Sequence, residues 1–520
     1  MSSISRPPPL PGFGLSLSHQ PEDDLFPSAL DPRLSRYHDG SHRARFPAFT
    51  VRELKMLDFM NTVTDKQEWE TKVCDESIVE KWKEEMGATE EMSAGNDGDQ
   101  ETEVEGENQG TMFSPEINTT NDTDGNDDNN DDDNSHSPDF TKRMFQHCID
   151  ELKYKVDIYK KHGFVQVLSG EIFKSDTAIP SELQSLLKSA VAPLENVPED
   201  ERDWHPGSNE QVLDLVHPSL FPLVYSLSRI LPDSTTDLGD CIERCGAGEP
   251  AVLTSLPSEL TGSAYSRRFQ WLPCDVDISG DTPRIISYIN SLHPQKHRGL
   301  YEVIEIVLAK IIPLWNATLS SLLDVVPQRI DYDYVDYHED AWEKYREDHG
   351  PKQEEGEDDT DFEDRQNDWE VDHKKKFYVQ PDVKKDFQPP EDDVYSEVDL
   401  KRDFSRTGIQ IIVKLANILT KPGHRKILAL FLVDPNIKII STANVPCQRQ
   451  DWREELILDS NVLLRLPVEL RDIVAKNRDD FPISLHEAKK IREELMEERR
   501  KYVLGYQRET SRTQISLCEH

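Results

Sequence analysis

The sequence predicts an α+β fold, with a mostly helical N-terminal part and a smaller β-rich part nearer the C-terminus. Three observations predict this fold. Apolar residues recur at helical spacing along much of the chain, two stretches rich in Ile, Leu and Val have the length of strands, and two acidic stretches interrupt both patterns. Hydrophobic residues make up 36% and charged residues 31% of the 520 residues, against about 45–50% and 25% in ordinary globular domains. The composition therefore indicates a folded protein that also contains disordered, acidic sequence.

The acidic charge is concentrated in two segments. Residues 91–139 contain sixteen Asp and Glu and no Lys or Arg, and residues 331–373 contain nineteen Asp and Glu against four Lys and Arg. These two segments carry most of the formal charge of −40. We predict that both are disordered, because they hold too little apolar surface to offset the loss of chain entropy. This composition argues against binding of nucleic acid, because a phosphate backbone requires a basic surface.

The first helices are expected directly after a Pro-rich, irregular stretch, residues 1–48. Thr50-Val-Arg-Glu53 has the pattern of a capping box, in which Thr accepts hydrogen bonds from helix N–H groups and Glu reaches back to the cap. Apolar residues then recur at helical spacing as far as Met60. A second helix is predicted over Ser77–Met86.

The central part of the chain is predicted to be globular and mostly helical. Met144, Ile149, Leu152 and Val156 fit one face of a helix. The sequence predicts two further helices, a short one over Ser181–Val191 that ends at Pro193 and a long apolar one over Gly299–Leu323 with a kink at Pro313.

Strands are predicted over Ile409–Ile418 and Lys426–Val433, and a second capping box, Ser484-x-x-Glu487, predicts a charged helix to about Tyr502. These signals divide the chain into six regions: an N-terminal region, Pro-rich and then helical (1–88), a disordered acidic insert (89–139), the main globular region (140–330), an acidic low-order segment (331–373), a β-rich region (374–460) and a helical C-terminal segment (461–520).

The cysteines and the N-terminus predict an intracellular location, cytoplasmic or nuclear. Seven cysteines are scattered along the chain, an odd and sparse number for a disulfide framework. The first residues lack the apolar stretch of a signal peptide, and the strongest apolar runs are shorter than the ~18–20 residues of a membrane span. Cys241 and Cys245 form the only close cysteine pair. We interpret them as free thiols, because a zinc site requires four ligands and no second pair stands at a suitable spacing.

One histidine motif allows a weak metal hypothesis. His338-Glu-Asp340 is the only His-x-Asp/Glu in the chain, and His424 lies downstream. Two histidines and one carboxylate can hold non-haem iron(II), and Arg449 or Arg425 would then clamp an anionic co-substrate. The acidic surroundings of His338 and Asp340 favour the alternative, in which both are solvated surface residues without a function in metal binding.

Arg425 also opens a strand that is otherwise apolar. If this strand lined a barrel, the Arg425 guanidinium could lie at the mouth of the barrel and donate a bidentate pair of hydrogen bonds to a carboxylate. The pattern alone favours the simpler interpretation, in which Arg425 ends a strand at the surface.

Several long phrases of the sequence resemble a fungal family known as domain of unknown function 4246. The resemblance covers nearly the whole chain outside the two acidic segments. The phrases are Pro11-Gly-Phe-Gly, Asp203-Trp-His-Pro-Gly, Val212-Leu-Asp-Leu-Val-His-Pro-Ser-Leu, Arg268-Phe-Gln-Trp-Leu-Pro-Cys-Asp-Val, Ser287-Tyr-Ile-Asn-Ser-Leu-His-Pro and Gly423-His-Arg-Lys-Ile-Leu-Ala-Leu-Phe-Leu-Val-Asp-Pro.

One region of this family is similar to 2-oxoglutarate/iron(II) oxygenases, which are double-stranded β-helices (jelly rolls). The resemblance implies that an intact member holds iron through a His-x-Glu phrase and a later His, and that the residue matching Arg425 binds the 2-oxoglutarate carboxylate. In this chain Ile418 is followed at once by Leu419-Thr-Lys-Pro-Gly-His-Arg425, so the segment with these iron ligands is missing.

The resemblance therefore predicts a truncated β-helix remnant, and we expect this chain to hold neither metal nor cofactor and to be catalytically inactive. The truncation would reflect either a gene model that skips coding sequence or a degenerate paralogue. The alternative is a non-enzymatic intracellular interaction protein, in which the acidic segments attract basic surfaces. The sequence identifies no partner.

Overall fold

A computed structural model of the protein describes residues 9–19, 21, 24–26, 49–87, 140–168, 171–253, 265–323, 328–332, 336–390, 394–420, 423–458, 467 and 482–512. The first acidic segment, residues 89–139, lies outside these described residues. The chain forms two compact units. The first unit comprises Met1–His38, Asp176–Leu323 and Val394–Thr513, and the second comprises Asp39–Ser175, Asp324–Asp393 and Gln514–His520.

The first unit is built around a five-stranded antiparallel sheet that curls into a half-barrel. Its strands are β5 (Val212–Val216), β10 (Cys274–Asp277), β11 (Arg284–Ile285), β12 (Ile409–Thr420) and β13 (Gly423–Leu432). They lie in the order β11-β10-β12-β13, and β5 pairs with the part of β12 that β10 leaves free. The strand pair predicted from the sequence is therefore confirmed, and three strands from earlier in the chain complete the sheet.

Two helices cover one face of this sheet. They are α5 (Ser181–Glu195) and α6 (Arg298–Ser321), and both continue through the prolines at which an end and a kink were predicted. Ile411, Val413 and Leu415 of β12 lie in the same core as Tyr301 and Leu308 of α6. Among the described residues α6 is the one helix long and apolar enough to cross a membrane. A helix in the core of a soluble domain ordinarily has such a composition, so the apolar sequence of α6 is weak evidence of a membrane span.

Short strands and helices complete the first unit. The strand pairs are β1 (Leu10–Pro11) with β2 (Gly14–Leu15), β6 (Leu223–Val224) with β9 (Phe269–Gln270), and β7 (Arg229–Ile230) with β8 (Glu249–Pro250). The helices are α9 (Leu400–Phe404), α10 (Gln450–Leu458) and α11 (Leu485–Arg512). The predicted cap of α11 is present, since the Ser484 hydroxyl accepts a hydrogen bond from the Glu487 N–H at 3.2 Å.

The second unit is mostly helical. It contains α1 (Val51–Thr64), α2 (Trp69–Lys72), α3 (Glu76–Glu85), α4 (Lys142–His162) and the strand pair β3 (Val165–Val167) and β4 (Ile172–Lys174). Half of the predicted capping box is present, because the Thr50 hydroxyl accepts from the Glu53 N–H at 3.1 Å. The Glu53 carboxylate does not reach back to the cap. It accepts from the Arg329 backbone N–H at 2.7 Å instead.

The second acidic segment does not have the low order predicted for residues 331–373. Its described part forms two helices, α7 (Glu339–His349) and α8 (Asp359–Lys374). An aromatic cluster holds them together: the rings of Trp342 and Trp369 stack at 5.7 Å, and Tyr345 stacks on Trp369 at 6.0 Å. The prediction was wrong because it weighed net charge and overlooked aromatic residues at helical spacing, which bury large areas.

Candidate functional site

Two histidines and one aspartate converge beside β5 in the first unit. His205 precedes the strand, Asp214 lies within it and His217 directly follows it. The backbone N–H of His205 donates to the Val212 carbonyl oxygen at 2.8 Å, so the chain folds back and places His205 beside the strand. One nitrogen of each imidazole and one oxygen of Asp214 all lie within 4.8 Å of one another. We call these three residues the Asp214 cluster.

Asp214 is the buried centre of the cluster, with only 1% of its side chain exposed. One of its carboxylate oxygens, Oδ2, accepts a hydrogen bond from His205 Nδ1 at 2.8 Å and another from Arg492 Nη1 at 3.4 Å. The other oxygen, Oδ1, has no hydrogen-bond partner among the described residues. Buried carboxylate oxygens are normally paired, so Oδ1 is available to a donor that enters the site.

Arg492 holds the cluster against helix α11. Its guanidinium donates to Asp203 at 2.7 and 3.0 Å, and the Lys489 ammonium lies 3.2 Å from the same carboxylate. The sequence therefore brings charged residues of a C-terminal helix onto Asp203 and Asp214.

His217 is neutral at physiological pH. Burial lowers the pKa of His217 to about 3, assisted by the positive charges of Lys414 and Arg492. Burial also raises the pKa of Asp214, although the hydrogen bond from His205 opposes this effect. The environment thus disfavours charge on both groups. The residues that lower the pKa of His217 are cationic or histidine side chains, so the local field at this ring is positive.

Hydrogen-bond directions decide which atoms of the cluster can bind a ligand. Asp214 accepts, so His205 Nδ1 carries hydrogen and its Nε2 keeps a lone pair when the ring is neutral. His217 Nδ1 accepts from the Ser219 N–H at 3.1 Å, so its hydrogen lies on Nε2. The cluster therefore offers a proton acceptor at His205, an acceptor at Asp214 Oδ1 and a donor at His217 Nε2.

This donor set does not fit the iron(II) that the family resemblance implies. A metal ion needs a lone pair from each histidine, and the lone pair of His217 already accepts the Ser219 N–H. Lys414 and Arg492 also place positive charge close by. The arrangement suits a polar or anionic ligand, or proton transfer through His205, better than a divalent cation.

The Asp214 cluster lies on the face of the sheet opposite the α5 and α6 core. Asp214 pairs with Ala416 of β12, two residues from Lys414 on the same face. Phe431 of β13 also lies on this face, and its ring packs against Trp271 at 5.8 Å. We call it the open face of the half-barrel.

Arg425 and His424, singled out from the sequence, both begin β13 and are exposed. Arg425 pairs with Ile418, so its side chain is on the open face, while His424 is on the opposite face. Arg449 lies elsewhere in the first unit, where it binds Asp451 at 2.6 Å and packs over the Trp452 ring.

His338 and Asp340 belong to the second unit, at the start of α7, and both are exposed. His424 belongs to the first unit. Among the described residues the His/Asp group that converges is the Asp214 cluster, not the set proposed from sequence. A role of His338, Asp340 and His424 in metal binding stays a prediction.

The cysteine pair is free and buried, as interpreted from the sequence. Cys241 and Cys245 lie in one apolar cluster with Tyr288, Cys447 and Trp452. Burial raises the pKa of Cys241 to about 12. A protonated, buried thiol is a packing residue and a poor nucleophile or metal ligand.

The Asp214 cluster was not predicted from the sequence, because the spacing of its three residues along the chain matches no known metal-binding motif. The signal was present in two of the phrases that carry the family resemblance, Asp203-Trp-His-Pro-Gly and Val212-Leu-Asp-Leu-Val-His-Pro-Ser-Leu. Each has a histidine before a proline and an aspartate two or three residues earlier. Their meeting depends on the backbone turn at His205.

Comparison with known families identifies two regions of the chain. The family described as a protein of unknown function (DUF4246) matches residues 142–419 and 419–456, and the domain described as DUF4246, N-terminal, matches residues 10–85. No curated protein and no solved structure matches the chain. Because the matched regions extend over more than half of the sequence, this protein belongs to the DUF4246 family.

Proposed function

We propose that this chain is a catalytically incomplete protein of an oxygenase-like lineage, with the half-barrel as the remnant of a double-stranded β-helix. One observation carries the proposal: β12 and β13 pair without interruption from Ile411 with Leu432 to Thr420 with Gly423, and only residues 421 and 422 lie between them. The family match also divides into two segments at Leu419. Both features support a deletion at the position where the resemblance places the iron ligands.

The geometry of a closed barrel explains what the deletion would remove. A double-stranded β-helix encloses its ligand between two facing sheets of about eight strands in total. The described sheet has five strands, and α11 partly covers its open face through Arg492. In a closed barrel that face lines the cavity, and Arg425 would lie at its mouth beside the 2-oxoglutarate carboxylate. Here Arg425 is exposed, and the Asp214 cluster does not supply the iron ligands.

Reinsertion tests this proposal. The 520-residue chain and a chain that carries the relatives' segment between Ile418 and Leu419 are titrated with iron(II) without oxygen, then assayed for succinate formation from 2-oxoglutarate in air. We expect stoichiometric iron binding and turnover only after reinsertion. The matched control carries the same insert with its His-x-Glu histidine changed to Ala, which keeps the length of the insert but removes one ligand.

Turnover by the unmodified chain would overturn the proposal. If that chain binds iron, His338→Ala and His205→Ala distinguish the two possible sources, the motif singled out from sequence and the Asp214 cluster. The transcript across the codons for Ile418 and Leu419 is a separate test. Coding sequence for His-x-Glu at this junction would show that the cellular protein is longer and intact.

A non-enzymatic interaction protein is the second candidate. It is favoured by the edge of β13 with which no described strand pairs, and by exposed apolar residues on the open face of this strand, Ile427 and Phe431. Absence of iron binding both before and after reinsertion would favour this candidate over the first.

A further inference from the structure

Strand β13 is a long sheet edge with one partner. Ten residues, Gly423–Leu432, pair with β12, and no described strand pairs with the other side of β13. No residue of β13 is buried, and Ile427 and Phe431 are 37% and 42% exposed. Proteins usually protect such edges with charged residues, proline, bulges or short strands. The cationic residues of β13, Arg425 and Lys426, lie in its first half, and the strand has no proline and a continuous register.

Backbone hydrogen bonds identify which groups of β13 face outward. The Val433 N–H donates to the Gln410 carbonyl oxygen at 2.9 Å, so this pair is hydrogen-bonded across the hairpin. Hydrogen-bonded pairs recur at every second residue of an antiparallel ladder. The odd-numbered residues of β13 therefore face β12. The backbone N–H and C=O groups that point away from the sheet belong to His424, Lys426, Leu428, Leu430 and Leu432.

We propose that a second copy of this chain pairs with β13 in antiparallel orientation, with the twofold axis at Leu428. This inference goes beyond the proposed function and does not depend on iron. In this register all five outward-facing residues form hydrogen-bonded pairs: Leu428 with the same residue of the other copy, Leu430 with Lys426 and Leu432 with His424. Two five-stranded half-barrels become one continuous sheet, which satisfies both edges.

The side chains are compatible with this register. Arg425 stands opposite Phe431 of the other copy, a cation–π pair, and Ile427 stands opposite Ala429. These pairs are not hydrogen-bonded, so their side chains approach closely. A register centred on Lys426 would instead place two ammonium groups face to face, which is unfavourable. Lys426 is held by Glu195 at 2.7 Å, so its charge is already paired.

Cross-linking tests both the dimer and its register. In a Cys74→Ser, Cys518→Ser background, Leu428→Cys places two thiols across the axis, and mild oxidation is expected to give a covalent dimer. Leu430→Cys is the matched control. It removes a leucine from the same edge and face, but its two copies would lie about 13 Å apart, four residues along the strand. We expect it to stay uncross-linked.

The mass in solution gives an independent measure. Sedimentation of the unmodified chain is expected to give twice the monomer mass of 59.8 kDa at micromolar concentration. Ile427→Asp should weaken association at least tenfold, because it buries a carboxylate at the interface. Ile306→Asp, at a residue 41% exposed on α6, should leave the dissociation constant within twofold. A monomer at all concentrations, or cross-linking of Leu430→Cys but not of Leu428→Cys, overturns the proposal and leaves the proposed function untouched.

Discussion

Two buried groups of charged residues, one in each unit, differ in how completely their polar atoms are paired. In the second unit Glu151 accepts hydrogen bonds from Arg329 at 2.7 Å through both carboxylate oxygens and lies 2.8 Å from Lys155. Glu53 accepts the Arg329 backbone N–H. None of these four side chains, which are all described, has a buried polar atom without a partner. We call them the Glu151 network.

The Asp214 cluster of the first unit is incompletely paired. Asp214 Oδ1 and Arg492 Nε are both buried and lack partners among the described residues. Burial raises the pKa of Glu53, but the pKa values of the two central carboxylates, Glu151 and Asp214, shift in opposite directions. Burial raises the pKa of Glu151, but Lys155 and Arg329 outweigh burial and hold it far below its ordinary value, whereas the pKa of Asp214 is raised.

The difference predicts that the two groups respond differently to the loss of a charge. A fully paired network stabilises one conformation. Unpaired buried groups cost free energy, and they persist where a ligand or a reaction uses them. We therefore expect carboxylate-to-amide substitutions, which change charge but little shape, to have opposite outcomes in the two groups.

Glu151→Gln should have the largest effect. It leaves Lys155 buried without a counter-charge and Arg329 with Glu53 alone, 3.6 Å away, and breaking a buried ion pair typically costs about 3–5 kcal/mol. The measurement is the unfolding free energy of the second unit, from hydrogen exchange of α1 and α4 amides. Glu80→Gln is the control, because Glu80 is exposed and its ion pair within the described part of the chain is with Lys83. Equal, small effects of both changes would show that the Glu151 network contributes nothing to stability.

The pH dependence of the first unit should follow His217. The pKa of His217 is about 3 in the folded protein because of burial and the nearby cations, and about 6.5 in the unfolded chain. Between these values only the unfolded chain binds the proton. The contribution of His217 to the unfolding free energy of the first unit is therefore complete above about pH 6.5. This free energy falls by about 1.4 kcal/mol per pH unit as the pH decreases below that value.

The slope is measured as the difference in unfolding free energy between the unmodified protein and His217→Asn, whose amide oxygen can still accept the Ser219 N–H. The difference should shrink as the pH falls from about 6.5 to about 4.5. Glu151 behaves otherwise, because its pKa is lowered in the folded protein. Its contribution to the unfolding free energy is complete above the pKa of a glutamate in the unfolded chain, about 4.3, and is lost only below that pH. A difference independent of pH would mean that His217 takes up a proton as readily in the folded protein as in the unfolded chain.

Much of the first unit's sheet could be predicted from the sequence, because β12 and β13 are continuous apolar runs bounded by turn residues. Strand β5 was not predicted, since Val212-Leu-Asp-Leu-Val216 has a buried aspartate at its centre. The error over residues 331–373 had a different cause. Local charge favoured disorder, while contacts between Trp342 and Trp369, far apart in sequence, decided the outcome.

The candidate site was less predictable than the fold. Arg425 and His424 were chosen from a local pattern and a resemblance, and both are exposed. The Asp214 cluster requires Arg492, which lies 278 residues from Asp214. Local spacing contains no information about such a contact, because it forms only when α11 packs beside β5.

Asp214→Asn should have a small effect. Its carboxylate loses charge-assisted hydrogen bonds from His205 and Arg492, but it also sheds the burial penalty that raises its pKa. We expect a change of less than about 1 kcal/mol in the unfolding free energy of the first unit, from hydrogen exchange of β5 and β12 amides. A loss as large as that for Glu151→Gln would place the Asp214 cluster in the structural class and remove the distinction drawn between the two groups.

The smallest effect is expected at an ion pair that belongs to neither group. Lys296 and Glu455 lie 2.5 Å apart in the first unit, with about half of each side chain exposed. Water screens this pair, and holding two long side chains in one geometry costs entropy, so Lys296→Met should change the unfolding free energy by less than about 0.5 kcal/mol. The small loss for Lys296→Met should vanish within error at high salt, whereas the loss for Glu151→Gln should persist, because salt screens buried charges much less than exposed ones. A larger loss at Lys296 would mean that short distance, rather than burial with complete pairing, determines which charged groups stabilise this protein.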